Sequence, residues 1–273
     1  MSKTLQQIYD EQLALNKRHN AQNELYWLLE KAAGVSRSVF FKTEVGDLHD
    51  RYATLLSYLD QYQQGVPLAY ILGDTPFMGI DIQTEKGVLI PRADTEPMVE
   101  ALCAMITADM KVCDLGCGTG AIALSIANTC GVGVVAVDKS DQAIRLTEKN
   151  ADRLGLTHLI QTYLGSWYDK PEIGQFNVVV SNPPYIAKGD SEVWDSVDQH
   201  EPHSALYAED SGLLDIKAII DYAKSILLPS GIIAIEHGKD QQDEVINLLE
   251  DQGFQLLYAR KVANLPRYVI ARH

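Results

Sequence analysis

The chain has 273 residues, 46% of them hydrophobic and 22% charged, with a formal net charge of -14. That length accommodates one large domain plus a smaller one, each with a core, and no window approaches the roughly 18 uninterrupted apolar residues of a membrane span. The acidic balance argues against a surface that wraps a nucleic-acid backbone, since such binding draws on clustered Lys and Arg to release counterions, and here they are scattered.

The first residues, Met1 to Gln7, contain no apolar run of the kind a secretory signal needs, and none is expected. Over residues 5–31 the apolar positions Leu5, Ile8, Leu13, Leu15, Leu25, Leu28 and Leu29 recur at helical spacing; Leu48, Tyr52, Leu55, Leu56 and Leu59 repeat the pattern over 47–63. Gly34, Gly46 and Gly65 punctuate them, so residues 1–66 are expected to form a helical N-terminal domain. Two readings of it stand: a solvated capping bundle, or a small domain that selects a macromolecular substrate. Residues 67–92 carry short β-like runs separated by glycine and predict a linker with a β-hairpin. Asp94-Thr95-Glu96-Pro97 then reads as a helix start running to about Ala108. Asp94 and Glu96 either complement that helix's dipole or shape one wall of a pocket.

From Lys111 onward strand and helix alternate. Strands are predicted at 112–115, 132–137, 159–164, 176–180, 232–236, 254–259 and 268–271, and helices at 120–128, 141–154, 213–227 and 241–252, which implies a doubly wound, mostly parallel seven-stranded sheet. Asp114-Leu115-Gly116-Cys117-Gly118-Thr119-Gly120 follows a strand and opens a helix, and Asp138 ends the next strand about 20 residues on, a nucleotide-binding βαβ plan. The glycines allow close approach to the backbone, and Asp138 can bind both ribose hydroxyls. A carboxylate at Asp114 would repel a pyrophosphate but suits a ligand with a positive centre, such as the amino acid part and sulfonium of S-adenosyl-L-methionine. Ser166-Trp167 follows the third strand at the same sheet end, where Trp167 either flanks an adenine or fills core. Cys117 reads as a packing residue, because no histidine lies near it in the sequence.

Ser181-Asn182-Pro183-Pro184-Tyr185 leaves the strand at 176–180. Pro183 removes a backbone donor and biases Asn182 towards an extended conformation, holding its carboxamide at the sheet edge. The backbone carbonyls stay free to accept hydrogen bonds, and Tyr185 offers a flat face, so the turn suits a planar NH2 group. Residues 186–212 form the longest stretch without periodicity and carry Trp194, His200, Glu201 and His203; such loops are usually functional or mobile. His200-Glu201-Pro202-His203 is not read as a metal site, since the proline breaks any helical register. The four cysteines, Cys103, Cys113, Cys117 and Cys130, lack metal spacing and fit a reducing cytoplasm.

With these residues in view, the chain resembles the bacterial PrmC/HemK family of protein-(glutamine-N5) methyltransferases, which modify class 1 peptide chain release factors. The resemblance covers nearly the whole chain and rests on Pro67-Leu68-Ala69-Tyr70-Ile71-Leu72-Gly73, Leu89-Ile90-Pro91-Arg92-Ala93-Asp94-Thr95-Glu96, Asp114 to Gly120 with Ala121-Ile122-Ala123-Leu124, and Ser181 to Ile186. Asn-Pro-Pro-Tyr is shared with DNA adenine-N6 methyltransferases and with methylases of ribosomal-protein glutamine; the Pro-Arg-x-Asp-Thr-Glu run and the helical N-terminal domain tilt the resemblance to release factors. It implies a Rossmann-like class I S-adenosylmethionine-dependent methyltransferase domain over 93–273, cofactor contacts from Gly116, Cys117, Gly118, Thr119, Gly120, Asp138, Trp167 and Asn182, and a substrate glutamine held by Asn182, Pro183, Pro184 and Tyr185. Phe77 matches an aromatic position near the pocket and is equally compatible with core. Ala93 stands where the family usually has proline, Ser166 where an acid is common, and Cys117 where threonine is frequent. A cytoplasmic monomer acting on a protein substrate, without direct nucleic-acid contact, is expected.

Overall fold

The computed structural model describes residues 3–16, 20–189 and 195–273. The chain divides into two compact units, Met1–Gly73 and Asp74–His273. The first contains helices α1 (Leu5–Leu15), α2 (Ala21–Ala33), α3 (Arg37–Phe40), α4 (Arg51–Gln63) and α5 (Leu68–Leu72). Thr4 opens α1 with a reciprocal cap: its hydroxyl accepts from the Gln7 amide, and the Gln7 side chain accepts from the Thr4 amide. Leu25, Leu28, Leu29 and Ala32 fall on one stripe of α2 and are buried against Leu5, Phe40, Leu55 and Tyr62. Leu28 is fully buried, so Leu28→Ala should lower the stability of this unit by about 2–5 kcal/mol, read as an earlier urea transition.

Within residues 67–73 the chain forms α5 (Leu68–Leu72) instead of the β-like run predicted. Pro67 stands at its N-cap and Gly73, in the left-handed region at φ 80°, closes it. Ile71 is then buried with the helical core, which outweighs the strand preference of so short a segment.

The second unit opens with the hairpin β1 (Asp74–Phe77) and β2 (Ile80–Gln83), turned by Met78 and Gly79, both at positive φ. Then follow α6 (Glu96–Cys103), β3 (Val112–Leu115), α7 (Ala121–Cys130), β4 (Val134–Asp138), α8 (Asp141–Arg153), β5 (Ile160–Leu164), β6 (Phe176–Ser181), β7 (Ile186–Ala187), α9 (Asp195–His200), α10 (His203–Leu206), β8 (Tyr207–Ala208), α11 (Leu214–Ile226), β9 (Leu227–Glu236), α12 (Gln242–Asp251), β10 (Gln255–Val262) and β11 (Leu265–Arg272). Seven strands form one sheet in the order β10-β11-β9-β6-β3-β4-β5, and β11 runs antiparallel to both of its neighbours. The doubly wound seven-stranded sheet expected from the alternation is the one observed.

Period-two alternation divides the sheet's side chains between two cores. Val112, Val134, Val178, Val180 and Ala234 meet Met98, Leu102, Leu124 and Ile126 of α6 and α7 on one face. Cys113, Leu115, Val179, Ile233 and Ile235 meet Ile216, Ile219, Tyr222 and Val245 of α11 and α12 on the other. Three predicted elements depart from the observed ones by more than three residues. Helix α6 ends at Cys103, short of residue 108, because the Met105 and Ile106 amides turn back onto the Leu102 carbonyl. Residues 88–92 form no strand; the Val88 amide bonds back to Glu85 and the Ile90 amide to a side chain. Strand β9 starts at Leu227, ahead of residue 232, because a register shift beside Phe176 absorbs the turn-like Pro229-Ser230-Gly231.

Candidate active site

Strands β3 and β6 are adjacent and parallel, with Asp114 opposite Val180, and the sheet order turns away from them in both directions. This is the topological switch point, where a crevice opens beyond the carboxyl ends of the strands. The sequence places its glycine turn after β3 and its Asn-Pro-Pro-Tyr turn after β6, so both enter one crevice from neighbouring strands. A cleft lies there, walled by Gly116 to Thr119, Asp138, Lys139, Trp167, Asn182 and Pro184, by residues 87–92 with Thr95 and Phe77, and by Pro202, Ser204 and Ala205.

The glycine turn is held from below. The Gly116 and Cys117 amides both donate to the Val137 carbonyl, and the Gly118 amide donates to Asp138 Oδ2 at 2.9 Å. Asp138 Oδ1 accepts from the Ser140 amide at 2.8 Å. Burial raises the Asp138 pKa, opposed by those two amide bonds. Gly116 (φ 82°) cannot be replaced without strain, and a Cβ there would sit 3.3 Å from the Trp167 ring. Gly120 lies outside the cleft wall. Its missing Cβ admits Thr147 of α8, which a methyl group would meet at 2.9 Å, so this glycine serves helix packing.

Asp114 also lies behind the wall. It is fully buried in β3, where the strand's pleat turns its side chain under the loop; Oδ2 accepts from the Ala123 amide in the first turn of α7 and Oδ1 has no protein partner. Burial, reinforced by Asp138, pushes its pKa up to about 7. Cys117 lines the cleft but its thiol is buried against Thr147, and burial raises its pKa, which suits packing and not nucleophilic attack.

Trp167 both lines the cleft and belongs to the core beneath α11. Its indole N–H donates to Asp215 Oδ1 at 3.1 Å, and the same oxygen accepts from the Tyr168 hydroxyl at 2.9 Å. Asp215, in the first turn of α11, thus sets the ring's rotation. Asp215→Ala would leave a buried indole N–H unpaired; the expected result is a stability loss of about 1–3 kcal/mol together with quenched-fluorescence evidence of a looser Trp167. Phe77 likewise serves two ends, being buried in the core and lining the cleft.

Asn182 enters the cleft at the end of β6, whose last residue, Ser181, is tied to β3 by a 2.6 Å bond from its hydroxyl to the Leu115 carbonyl. Asn182 Nδ2 donates to Thr95 Oγ1 at 3.1 Å. Pro184 lines the cleft, whereas Pro183 and Tyr185 do not. The Tyr185 hydroxyl instead donates to Glu236 Oε1 at 3.0 Å, and its carbonyl accepts from Gln241 Nε2 at 2.9 Å. Gly212 packs so closely on the Tyr185 carbonyl that a Cβ would collide with it. The turn after Asn182 is therefore fastened to β9 and to the loops that flank it.

Asp94 and Glu96 take no part in the wall; Asp94 faces Arg267 at 3.2 Å, and Thr95 between them is the residue that reaches the cleft. No motif in the sequence marks Thr95 or Glu236 as a site residue. The available signal for Glu236 was its place at a strand end, the position Asp138 occupies on β4. Of the segment 186–212, Trp194 lies outside the described residues. Glu201 is buried, its Oε1 paired with Arg92 at 2.7 Å and its Oε2 accepting from the Ile90 amide at 3.2 Å, which fixes the Pro202–Ala205 wall. His203 Nε2 is within 2.8 Å of the Asp198 carbonyl. Among the described residues no three His, Cys, Asp or Glu side chains are grouped to hold a metal, and no helix is long and apolar enough to cross a membrane.

The cleft fits S-adenosylmethionine on its own features: a glycine turn that leaves room for backbone approach, a partly buried carboxylate at Asp138 whose oxygens each retain a free lone pair for a hydroxyl, and a fixed indole. A family model described as "Methyltransferase small domain" matches residues 86–200, and one described as "PrmC N-terminal domain" matches residues 5–73. A methyltransferase from Pyrococcus furiosus superposes with a TM-score of 0.54 at 15% identity, covering 82% of this chain and 98% of that one. The 16S rRNA N2 G1207 methyltransferase of T. thermophilus does so with 0.52 at 21% identity, covering 73% of this chain and 49% of that one. Sheet order, switch-point cleft and these matches define a class I S-adenosylmethionine-dependent methyltransferase.

The more specific assignment comes from relatives. The release factor glutamine methyltransferase of Clostridium acetobutylicum is 41% identical over 221 residues, 78% of each chain, and that of Haemophilus influenzae is 31% identical over 259 residues, 89% of this chain and 88% of the other. This chain belongs to the release factor glutamine methyltransferase family.

Proposed function

We propose that this protein transfers the methyl group of S-adenosylmethionine to the side-chain amide nitrogen of the glutamine in the Gly-Gly-Gln loop of a class 1 peptide chain release factor. When bound, the cofactor supplies a methyl group on a positively charged sulfur, a good electrophile. Gly116 to Thr119, Asp138 and Trp167 hold it, with Gly120 and Asp114 bracing the loop and the start of α7 from behind. One observation carries the reading: Asn182 projects into the same cleft as the glycine turn, one strand away.

An amide nitrogen is a poor nucleophile because its lone pair is delocalised into the carbonyl. The chain's own residues must therefore orient it more than deprotonate it. Asn182 Oδ1 and the Pro183 carbonyl are the acceptors for the two N–H groups of the target; together they aim the nitrogen and favour its pyramidal form. No base is required, since a methylated amide nitrogen loses its proton readily. Pro184 adds rigidity, and Tyr185 acts through its bond to Glu236. In this reading the helical unit of residues 1–73 selects the protein substrate, and the enzyme is a cytoplasmic monomer that makes no direct nucleic-acid contact.

The test is incubation with methyl-labelled cofactor and either purified release factor or duplex DNA, followed by mass spectrometry of the labelled peptide. One methyl group on the Gly-Gly-Gln glutamine is expected. Label on DNA alone would sink the proposal.

A further inference from the structure

We propose that Thr95 and Glu236 are positioning residues that decide which end of the Asn182 carboxamide faces the substrate, a role that rests on the glutamine-methylating reading above. The oxygen and nitrogen of a carboxamide have nearly the same size, so packing alone does not choose between the two orientations related by rotation about the last bond. Only one is useful. With Oδ1 towards the cleft, Asn182 accepts an N–H from the target glutamine; with Nδ2 there, donor faces donor.

The choice is made two bonds away. Glu236 is 1% exposed and Thr95 2% exposed, at the end of β9 and in the turn before α6. Thr95 Oγ1 lies 2.6 Å from Glu236 Oε2, the short separation of a hydroxyl donating to a charged carboxylate, and Tyr185 donates to the other oxygen. Burial raises the Glu236 pKa, and the hydrogen bonds from Thr95 and Tyr185 together with Arg267 of β11 oppose that rise. With a hydroxyl donating to each of its oxygens, Glu236 acts as an acceptor on both sides. The single Thr95 proton is thus committed to Glu236, and its oxygen can only accept from Asn182. Nδ2 is drawn to Thr95 at 3.1 Å, and Oδ1 is left for the substrate. Tyr185 completes the device by holding Glu236 from the Asn-Pro-Pro-Tyr turn itself, so Asn182 and its orienting carboxylate are connected from both sides. Glu236 and Tyr185 act on the target only through Thr95 and Asn182, which is why neither is a catalytic residue in this scheme.

The test compares Thr95→Val, Thr95→Ser and Glu236→Gln in the full chain. Valine keeps the shape of threonine without its acceptor; serine restores the hydroxyl. Glutamine at 236 can donate its own N–H to Thr95, which releases the Thr95 proton to point at Asn182 Oδ1 and turns the carboxamide round. Thr95→Val and Glu236→Gln are expected to lower kcat about 100-fold, with KM for release factor and the cofactor Kd within about threefold of wild type and Thr95→Ser also within about threefold in kcat. The side-chain NH2 of Asn182, followed by NMR hydrogen exchange without any turnover, should be protected in wild type and Thr95→Ser and unprotected in Thr95→Val. Thr95→Val is nearly isosteric and carries the test if Glu236→Gln does not fold. A Thr95→Val enzyme with wild-type kcat, or one whose loss lies wholly in cofactor Kd, overturns the inference while leaving the reading of the site intact. A wild-type enzyme inert on release factor overturns both.

Discussion

Asn182→Ala is expected to lower kcat on release factor by about 100- to 1,000-fold, the range seen when one preorganised hydrogen-bonding group is removed from an active site. The cofactor Kd should move only a few-fold. The asymmetry follows from what Asn182 touches. Its Nδ2 is spent on Thr95 and its backbone is fixed by β6 and Pro183, so the side-chain oxygen is the part with no structural duty. The cofactor wall has other members, Asp138 and the glycine turn above all, and these survive the substitution. The target amide has no comparable reserve: its reactivity depends on being held in line with the methyl group, and the Pro183 carbonyl alone leaves one N–H unheld. Single-turnover rates with saturating cofactor, set beside calorimetric Kd values, separate the two effects. Equal losses in both would mean that Asn182 supports the cofactor and not the reacting nitrogen.

The parts of this site that are legible in the sequence are those encoded over short spans. The glycine turn and Asp138 belong to one βαβ unit, and Asn-Pro-Pro-Tyr announces itself by following a run of strand formers. Both are local patterns, and the alternation of strand and helix places them at one sheet end. The supports are not local. Thr95 and Glu236 are 141 residues apart, Arg92 and Glu201 are 109 apart, and Trp167 and Asp215 are 48 apart. Nothing in a sequence window links such pairs, because their meeting depends on strand order. Nor does a motif reveal which way a strand residue points. Asp114 stands at the head of the glycine motif, yet β3 is buried on both faces, and its carboxylate braces α7 from beneath the loop. Tyr185 follows the same logic: the turn that names it as a stacking platform carries its hydroxyl inward to β9. Helix α5 is illegible in the sequence for a related reason, since five residues without periodicity are decided by the core they join.

Asp138→Asn is expected to weaken S-adenosylmethionine binding by about 2–3 kcal/mol, roughly 30- to 150-fold in Kd. The wild-type carboxylate accepts from Gly118 with one oxygen and from Ser140 with the other, so the glycine turn and the start of α8 are both set by the group that faces the cleft. An amide at this position retains one acceptor. Its NH2 must then oppose one of the two backbone donors or turn into the cleft, where hydroxyl groups of the ligand would lose a charged acceptor. The same carboxylate gives the binding a pH dependence whose sign can be worked out. Burial raises the Asp138 pKa in the free enzyme, so protons compete for the group at a higher pH than for an exposed aspartate. Ligand hydroxyls donate to the ionised form and favour it, so binding releases protons, and affinity falls as pH drops through the free-enzyme pKa. Calorimetry over a pH series should show that fall in wild type and its absence in Asp138→Asn, which has no proton to gain at this site. A variant that keeps the wild-type slope would place the titrating group elsewhere, and Asp114, with a pKa pushed up to about 7 behind the same loop, is then the group to substitute next.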